Sequence, residues 1–147
     1  MIRLAVVMLG DRAAAEDVVQ DAFCALYRRF GSLTQPDRAL AYVRSSVLNG
    51  CRSELRSRKR NSRRAASSLS ADAASAEHDA LVGEEHRQVL LALRRLPDRQ
   101  REALVLRFFL ELPEPQIARS MGISRGTVKS TTSRALTALA RLLGEEQ

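Results

Sequence analysis

"IARSMGISRGTVKSTTSRAL", residues 117–136, decides the fold, because two apolar patterns meet there across a very short turn. The first pattern stops at Gly122 and the second starts after Ser124. Ile117, Met121, Ile123 and Val128 supply the apolar positions, and Ala118 supplies a small residue where two steeply crossed helices would touch. Glycine takes the positive φ that ends a helix at little steric cost, which suits Gly122. A serine hydroxyl accepts a backbone N–H at a helix start, which suits Ser124. The helix expected over 125–143 has a divided character. Val128, Thr132, Ala135, Leu139 and Leu142 fall on one stripe at helical spacing. Gly126, Ser130, Ser133, Arg134 and Thr137 lie opposite, with Thr127 and Lys129 on the flanks. Such a helix is about 28 Å long at 1.5 Å per residue, more than a groove-inserted contact normally uses.

The amino-terminal half therefore carries the candidate DNA contacts: Ser124, Arg125, Thr127, Lys129, Ser130, Thr131, Ser133 and Arg134. Recognition helices present their first turns to base edges. Short hydroxyl side chains allow close approach there, and cations reach phosphate or guanine. An ordinary helical hairpin with a solvated face is the competing account. Upstream, "ELPEPQ" places Pro113 where a capping serine is expected, so that helix begins without a side-chain cap. Pro115 fits a first turn, where its missing N–H would be unpaired anyway.

Helical periodicity extends outward from this motif over nearly the whole chain, near 2–9, 13–30, 37–58, 80–95, 98–110 and 114–121. Strand signals are nearly absent: no run alternates cleanly, and no Asn-Gly or Asp-Gly hairpin occurs. Residues 57–80, "SRKRNSRRAASSLSADAASAEHDA", are basic first and then rich in Ser and Ala, with little to bury. The expectation is an all-α chain of two small helical bundles, 1–57 and 80–147, joined by a flexible linker over 58–79. A solvated helical extension is the other reading for the linker's first half.

The 147 residues suffice for one ordinary domain or two small ones. Lys plus Arg total 24 against 17 acids, a net charge of +7, which suits an acidic partner such as nucleic acid and equally serves solubility. Cys24 and Cys51 make no disulfide framework, and a reducing cytoplasm is the default for such a chain. No apolar run approaches the roughly 20 residues of a membrane helix. "MIRLAVVMLG" lacks the charged region and cleavage site of a signal peptide and reads as a helix fragment.

In "DRAAAEDVVQDAFCALYRRF", residues 11–30, the inward stripe is Ala15, Val19, Ala22, Phe23, Leu26 and Phe30. Asp17, Gln20, Asp21, Cys24 and Arg28 face the other way. Asp17 and Asp21, one turn apart, form an acidic spot suited to a basic partner, although acids near a helix start also favour its macrodipole. In the next helix Leu40, Val43, Val47 and Cys51 point inward. Arg38, Tyr42, Ser45, Asn49, Arg52, Arg56, Arg60 and Arg63 follow one another on the opposite face if the helix continues. A ring that stacks, an amide that reads an edge and guanidinium groups that hold phosphates suit DNA opened into single strands. A solvated polar face is the alternative.

Taken together, the chain resembles a bacterial RNA polymerase sigma factor of the extracytoplasmic-function (ECF) class. "GDRAAAEDVVQDAF" and "ALAYVRSSVLNGCRS" resemble sigma domain two; "LPDRQREALVLRFF" and the opening stretch resemble sigma domain four. "SSVLNG" and "SRGTVKST" are of the actinobacterial type. The resemblance implies a cytoplasmic protein without catalytic activity that binds core RNA polymerase, recognises promoter DNA as duplex and as melted strands, and promotes initiation. It places Asp17, Gln20 and Asp21 on the polymerase clamp. Tyr42, Asn49, Arg52 and Arg56, with the loop from Gly31 to Asp37, would meet the minus-ten element. Lys129, Ser130, Ser133 and Arg134 would face the minus-thirty-five element. It further implies an anti-sigma protein as a partner, and part of the family's first helix ahead of Met1. Tyr42 stands where many relatives have Trp, and Thr131 where others carry Arg.

A stand-alone dimeric helix-turn-helix regulator is the alternative function, but no ligand or receiver domain is apparent. No cofactor is expected. His78, His86, Cys24 and Cys51 show no metal-ligand spacing, and no nucleophile–base set or phosphate-binding glycine loop appears.

Overall fold

The computed structural model describes residues 1–33, 35–65 and 84–145. Thr34, linker residues 66–79 with His78, and residues 80–83 of the expected fourth helix lie outside the described residues. Among the described residues the chain is helical, with turns between helices and no strand. It divides into two compact units, Met1–Ala76 and Glu77–Gln147.

The first unit packs three helices: α1 (Ile2–Leu9), α2 (Arg12–Arg29) and α3 (Pro36–Ala65), with a 3₁₀ turn at Phe30–Ser32. Gly10 ends α1 at φ 67°, and its N–H donates to Val6 O. Asp11 then caps α2, accepting from Ala14 N at 3.3 Å. Leu4, Ala5, Met8, Ala15, Val19, Ala22, Val43, Val47, Leu48 and Cys51 form the core. Close approach of α2 to α3 depends on Gly50: a Cβ there would stand 2.6 Å from Val18 Cγ1. Arg58 fastens the three helices at one end. Its Nη1 donates to Leu9 O at 2.8 Å, its Nε to Glu54 Oε1 at 2.9 Å, and its Nη2 lies 3.6 Å from Asp11 Oδ2.

Three residues expected on the inward stripes are exposed instead: Phe23 (50%), Phe30 (68%) and Leu40 (55%). Their apolar spacing is real, but a stripe is buried only where another helix lies over it. Phe30 sits beyond the end of α2, in the 3₁₀ turn. The third helix also runs past its expected end at 58. Between Cys51 and Ala65 there is neither Gly nor Pro, and Arg, Lys, Glu and Leu are strong helix formers. Residues 58–65, expected as the start of the linker, are thus helical.

The second unit comprises α4 (Glu84–Arg95), α5 (Asp98–Leu104), a π-helical turn (Val105–Phe109), α6 (Glu114–Met121) and α7 (Arg125–Glu145). The π turn occupies the last part of the helix expected over 98–110. Ala92, Leu96, Leu104, Ala135 and Leu142 form a core against which Leu93, Ala138, Leu139 and Leu143 pack. Arg101 is buried in it, donating to Arg94 O at 3.1 Å and Asp98 Oδ1 at 2.7 Å. A buried guanidinium is tolerated only when partnered in this way, and removing one partner costs about 3–5 kcal/mol. Arg99 donates to Met121 O at 3.3 Å and lies 3.6 Å from the buried Glu102, so the end of α6 is pinned to α5. That pin positions the helix pair that follows.

Candidate nucleic-acid interface

The pair α6–α7 is a helix-turn-helix. Pro113 begins α6 without a side-chain cap, and Gly122 ends it at φ 65°, its N–H donating to Ala118 O and Arg119 O. Ser124 Oγ then accepts Thr127 N at 3.1 Å and shares a second hydrogen bond with Thr127 Oγ1 at 2.8 Å. Ile117, Ala118, Met121 and Val128 are buried where the two helices meet. Arg125 Nε reaches Glu114 Oε1 at 3.3 Å, which ties the first turn of α7 to the first turn of α6.

Ser124, Arg125, Thr127, Lys129, Ser130, Ser133 and Arg134 are all exposed. Thr131 is the correction to the predicted contact set. At 9% exposure it belongs to the packed side of α7 with Val128, Ala135 and Leu142. Val128, Ala135 and Leu142 belong to both the expected and the observed stripe, whose centre is shifted by only about 30°, enough to bring Thr131 in beside them. Hydroxyls on the open side are engaged within the helix: Ser130 Oγ donates to Thr127 O at 3.1 Å and Thr137 Oγ1 to Ser133 O at 3.1 Å. Arg134 Nε donates to Ser130 O at 3.2 Å, which aims the guanidinium back along the exposed face. Lys129 has no ion-pair or hydrogen-bond partner among the described residues. Arg119 was not anticipated. It is exposed on α6 and lines a shallow groove with Pro115, Gly122, Ser124 and Arg125. A helical wheel of α6 would have placed it there.

In the first unit Asp17, Gln20 and Asp21 are exposed together on α2, and the two acids form no ion pair among the described residues. The four predicted minus-ten residues share one side of α3 in a line. Tyr42 is half-buried under the Arg29 guanidinium, 5.6 Å from its ring centroid. Such stacking on a ring face fixes its orientation. Asn49 Oδ1 accepts from Arg52 Nη1 at 2.9 Å, and Arg56 Nη2 donates to Ser53 Oγ at 3.1 Å. The partnership of Arg29 with Tyr42 joins two helices, so no periodicity in the sequence signals it. Of the loop from Gly31 to Asp37, Ser32 Oγ donates to Arg29 O at 2.8 Å, which holds the 3₁₀ turn.

Among the described residues no cluster of His, Cys, Asp and Glu is arranged to hold a metal ion. Cys24 is exposed, Cys51 is buried, and His86 is exposed. No helix of the described residues is long and apolar enough to cross a membrane.

Comparison with known proteins bears on both units. Residues 1–61 match the Sigma-70 region 2 family and residues 86–139 match Sigma-70, region 4. The ECF RNA polymerase sigma factor SigM of Mycobacterium tuberculosis is 35% identical over 130 residues, covering 88% of this chain and 64% of that protein. The RNA polymerase sigma-E factor of Streptomyces avermitilis is 30% identical over 142 residues, covering 95% of this chain and 76% of the relative. The chain spans a smaller share, 34% and 54%, of two further curated relatives, the probable RNA polymerase sigma factor RfaY of Xanthomonas campestris and the ECF RNA polymerase sigma factor BldN of Streptomyces coelicolor. The sigma factor RpoE, solved in complex with the anti-sigma factor NepR from Bartonella quintana, matches with a TM-score of 0.73. That match is 25% identical and covers 99% of this chain and 90% of that one. An exposed cationic helix-turn-helix behind a separate three-helix unit, with both sigma-70 regions in their proper order, leads to one assignment: the chain belongs to the sigma-70 family, in its extracytoplasmic-function class.

Proposed function

We propose that this chain binds core RNA polymerase and directs it to promoters whose minus-ten and minus-thirty-five elements it reads with separate units. The observation that carries the reading is the pairing of region 2 over residues 1–61 with region 4 over residues 86–139 on one chain. Asp17, Gln20 and Asp21 form the polymerase-docking spot, since they are exposed, acidic or amide, and clustered on one helix. Tyr42, Asn49, Arg52 and Arg56 take the melted minus-ten strand, where an aromatic ring, an amide and guanidinium groups stack, read and hold. Ser124, Arg125, Thr127, Lys129, Ser130, Ser133 and Arg134 take the minus-thirty-five duplex. Each unit contributes modest affinity, and joining them raises the effective concentration of the second contact without new interactions. Strand opening follows because unpaired bases gain stacking on the first unit that paired bases cannot make.

The protein works by binding alone, without catalytic chemistry, in the cytoplasm where polymerase and DNA meet. An anti-sigma partner is part of the proposal, by analogy with the complex of RpoE and NepR. Transcription in vitro with core polymerase is the test: initiation at a defined start site should require the chain. Absence of chain-dependent initiation at every promoter tried would sink the proposal. Reversing charge with Asp17→Lys and Asp21→Lys should weaken core binding and leave duplex binding by the second unit unchanged. Normal core binding by that variant removes the docking assignment.

A further inference from the structure

We infer that Arg29 is a displaceable cover on the Tyr42 ring: in the free chain its guanidinium occupies the face on which an unpaired base would stack, and the base takes the ring by pushing it aside. The inference rests on the reading of Tyr42 as the ring that receives the opened strand, and it adds a residue of another helix that regulates access to that ring. The guanidinium carbon of Arg29 lies 5.6 Å from the centroid of the Tyr42 ring, which is itself half-buried. Within about 6 Å of a centroid a cation is drawn to the negative face of the ring. That face is therefore taken before any strand arrives.

Two elements bring the pair together. Arg29 is the last residue of α2, where the negative end of the helix dipole favours a cation. Ser32 Oγ donates to Arg29 O at 2.8 Å and Leu33 N to Phe30 O at 3.3 Å, so the chain leaves α2 through a tight turn. Tyr42 follows in the second turn of α3. Arg29 is exposed, and apart from the ring its side chain has no hydrogen-bond or ion-pair partner among the described residues. Asp37, the one acid between Asp21 and Glu54, is also exposed, and Arg29 forms no ion pair with it. A guanidinium whose five donors are uncommitted to protein acceptors leaves the ring without breaking a hydrogen bond of the fold.

The magnitudes decide which group holds the ring. A cation over a ring at an exposed site is worth about two- to fivefold in an equilibrium constant. Stacking of a base on an aromatic ring is worth about five- to hundredfold. An unpaired base therefore displaces the guanidinium and keeps most of its own gain. A paired base has both faces inside the duplex and offers none, so the cover stays in place. The contact lowers affinity for an opened strand slightly and keeps the ring closed to groups that stack weakly.

The test uses the full chain carrying Tyr27→Phe, which leaves Tyr42 as the one tyrosine in a chain without Trp, so tyrosine emission reports that ring alone. Arg28→Gln is the control: it removes the same charge from an exposed neighbour about 100° further round α2. Relative to that control, Arg29→Gln should bind a labelled single strand of mixed sequence about two- to fivefold tighter in an anisotropy titration. Acrylamide should also quench the free Tyr42 ring more strongly, and duplex binding by the two variants should be equal. Arg29→Lys keeps a cation above the ring and should recover most of the parent value. Adding Tyr42→Ala to both variants should abolish the gain. Equal or weaker single-strand binding by Arg29→Gln overturns the proposal, and so does a gain that survives Tyr42→Ala. If Tyr42→Ala by itself leaves single-strand binding unchanged, the stacking role of Tyr42 falls and the cover falls with it, a result distinct from the other two.

Discussion

Helices α3 and α7 each turn one side to a core and the other to solvent, but they are anchored differently. α7 is bound down along its length: Val128, Thr131, Ala135 and Leu142 are buried, spaced from the second turn almost to the last. Its start is fixed by Ser124, and its exposed groups are steadied by bonds within the helix itself. α3 buries its apolar side chains in its first part alone. Val43, Val47, Leu48 and Cys51 are buried, Arg58 bonds to Leu9 O, and residues 59–64 are exposed. A fully seated helix offers a surface of fixed shape, which suits base edges in an intact groove. A partly seated helix, with a ring and an amide at one end and cations at the other, suits a strand whose shape changes as it opens.

Removing the anchor of α7 is the strongest way to break this contrast. Leu142→Ala should cost about 2–5 kcal/mol of stability, because a buried leucine leaves both lost transfer energy and a cavity. Urea unfolding measures it, and an unchanged midpoint would show that α7 is not held there. Next come the reading faces. Lys129→Ala and Arg134→Ala should each weaken promoter duplex binding by about 1–3 kcal/mol. Tyr42→Ala should cost about 1–3 kcal/mol on a melted minus-ten strand and nothing on duplex alone. Equal losses on both substrates would erase the distinction between the helices. Ser124→Ala should remove about 1 kcal/mol of stability with the cap, read as a lower melting temperature. The smallest effect sharpens the contact set: Thr131→Val should leave promoter affinity within about 0.5 kcal/mol, since Thr131 faces the core. A larger loss in a folded variant would return Thr131 to the DNA side.

The helix-turn-helix was legible because its constraints are local. Gly122 must turn left-handed, Ser124 must cap, and Ala118 must be small, and each requirement is met within a few residues. The two-helix register of the first unit was legible for the same reason at Ala15, Val19, Val43 and Val47. Phe23, Phe30 and Leu40 were misread because apolar spacing marks a side of a helix without revealing whether a neighbour covers it. Thr131 and Thr132 are equally tolerable on a packed side, so the wheel had no chemical means of choosing between them. Arg58 and Arg29 were invisible for another reason: their partners, Leu9 and Tyr42, lie on other helices, and only the fold brings them together.

The hydrogen that stands in place of a side chain at Gly50 sets a clearance inside the first unit. α2 carries the residues proposed to dock on polymerase and α3 those proposed to read the opened strand, and Val18 presses where Gly50 has nothing to give. An added methyl would favour helix formation by about 1 kcal/mol while wedging the two helices apart. Its penalty would fall on the mutual alignment of the two working surfaces, so a well-folded variant could grip the enzyme and still fumble the opened strand.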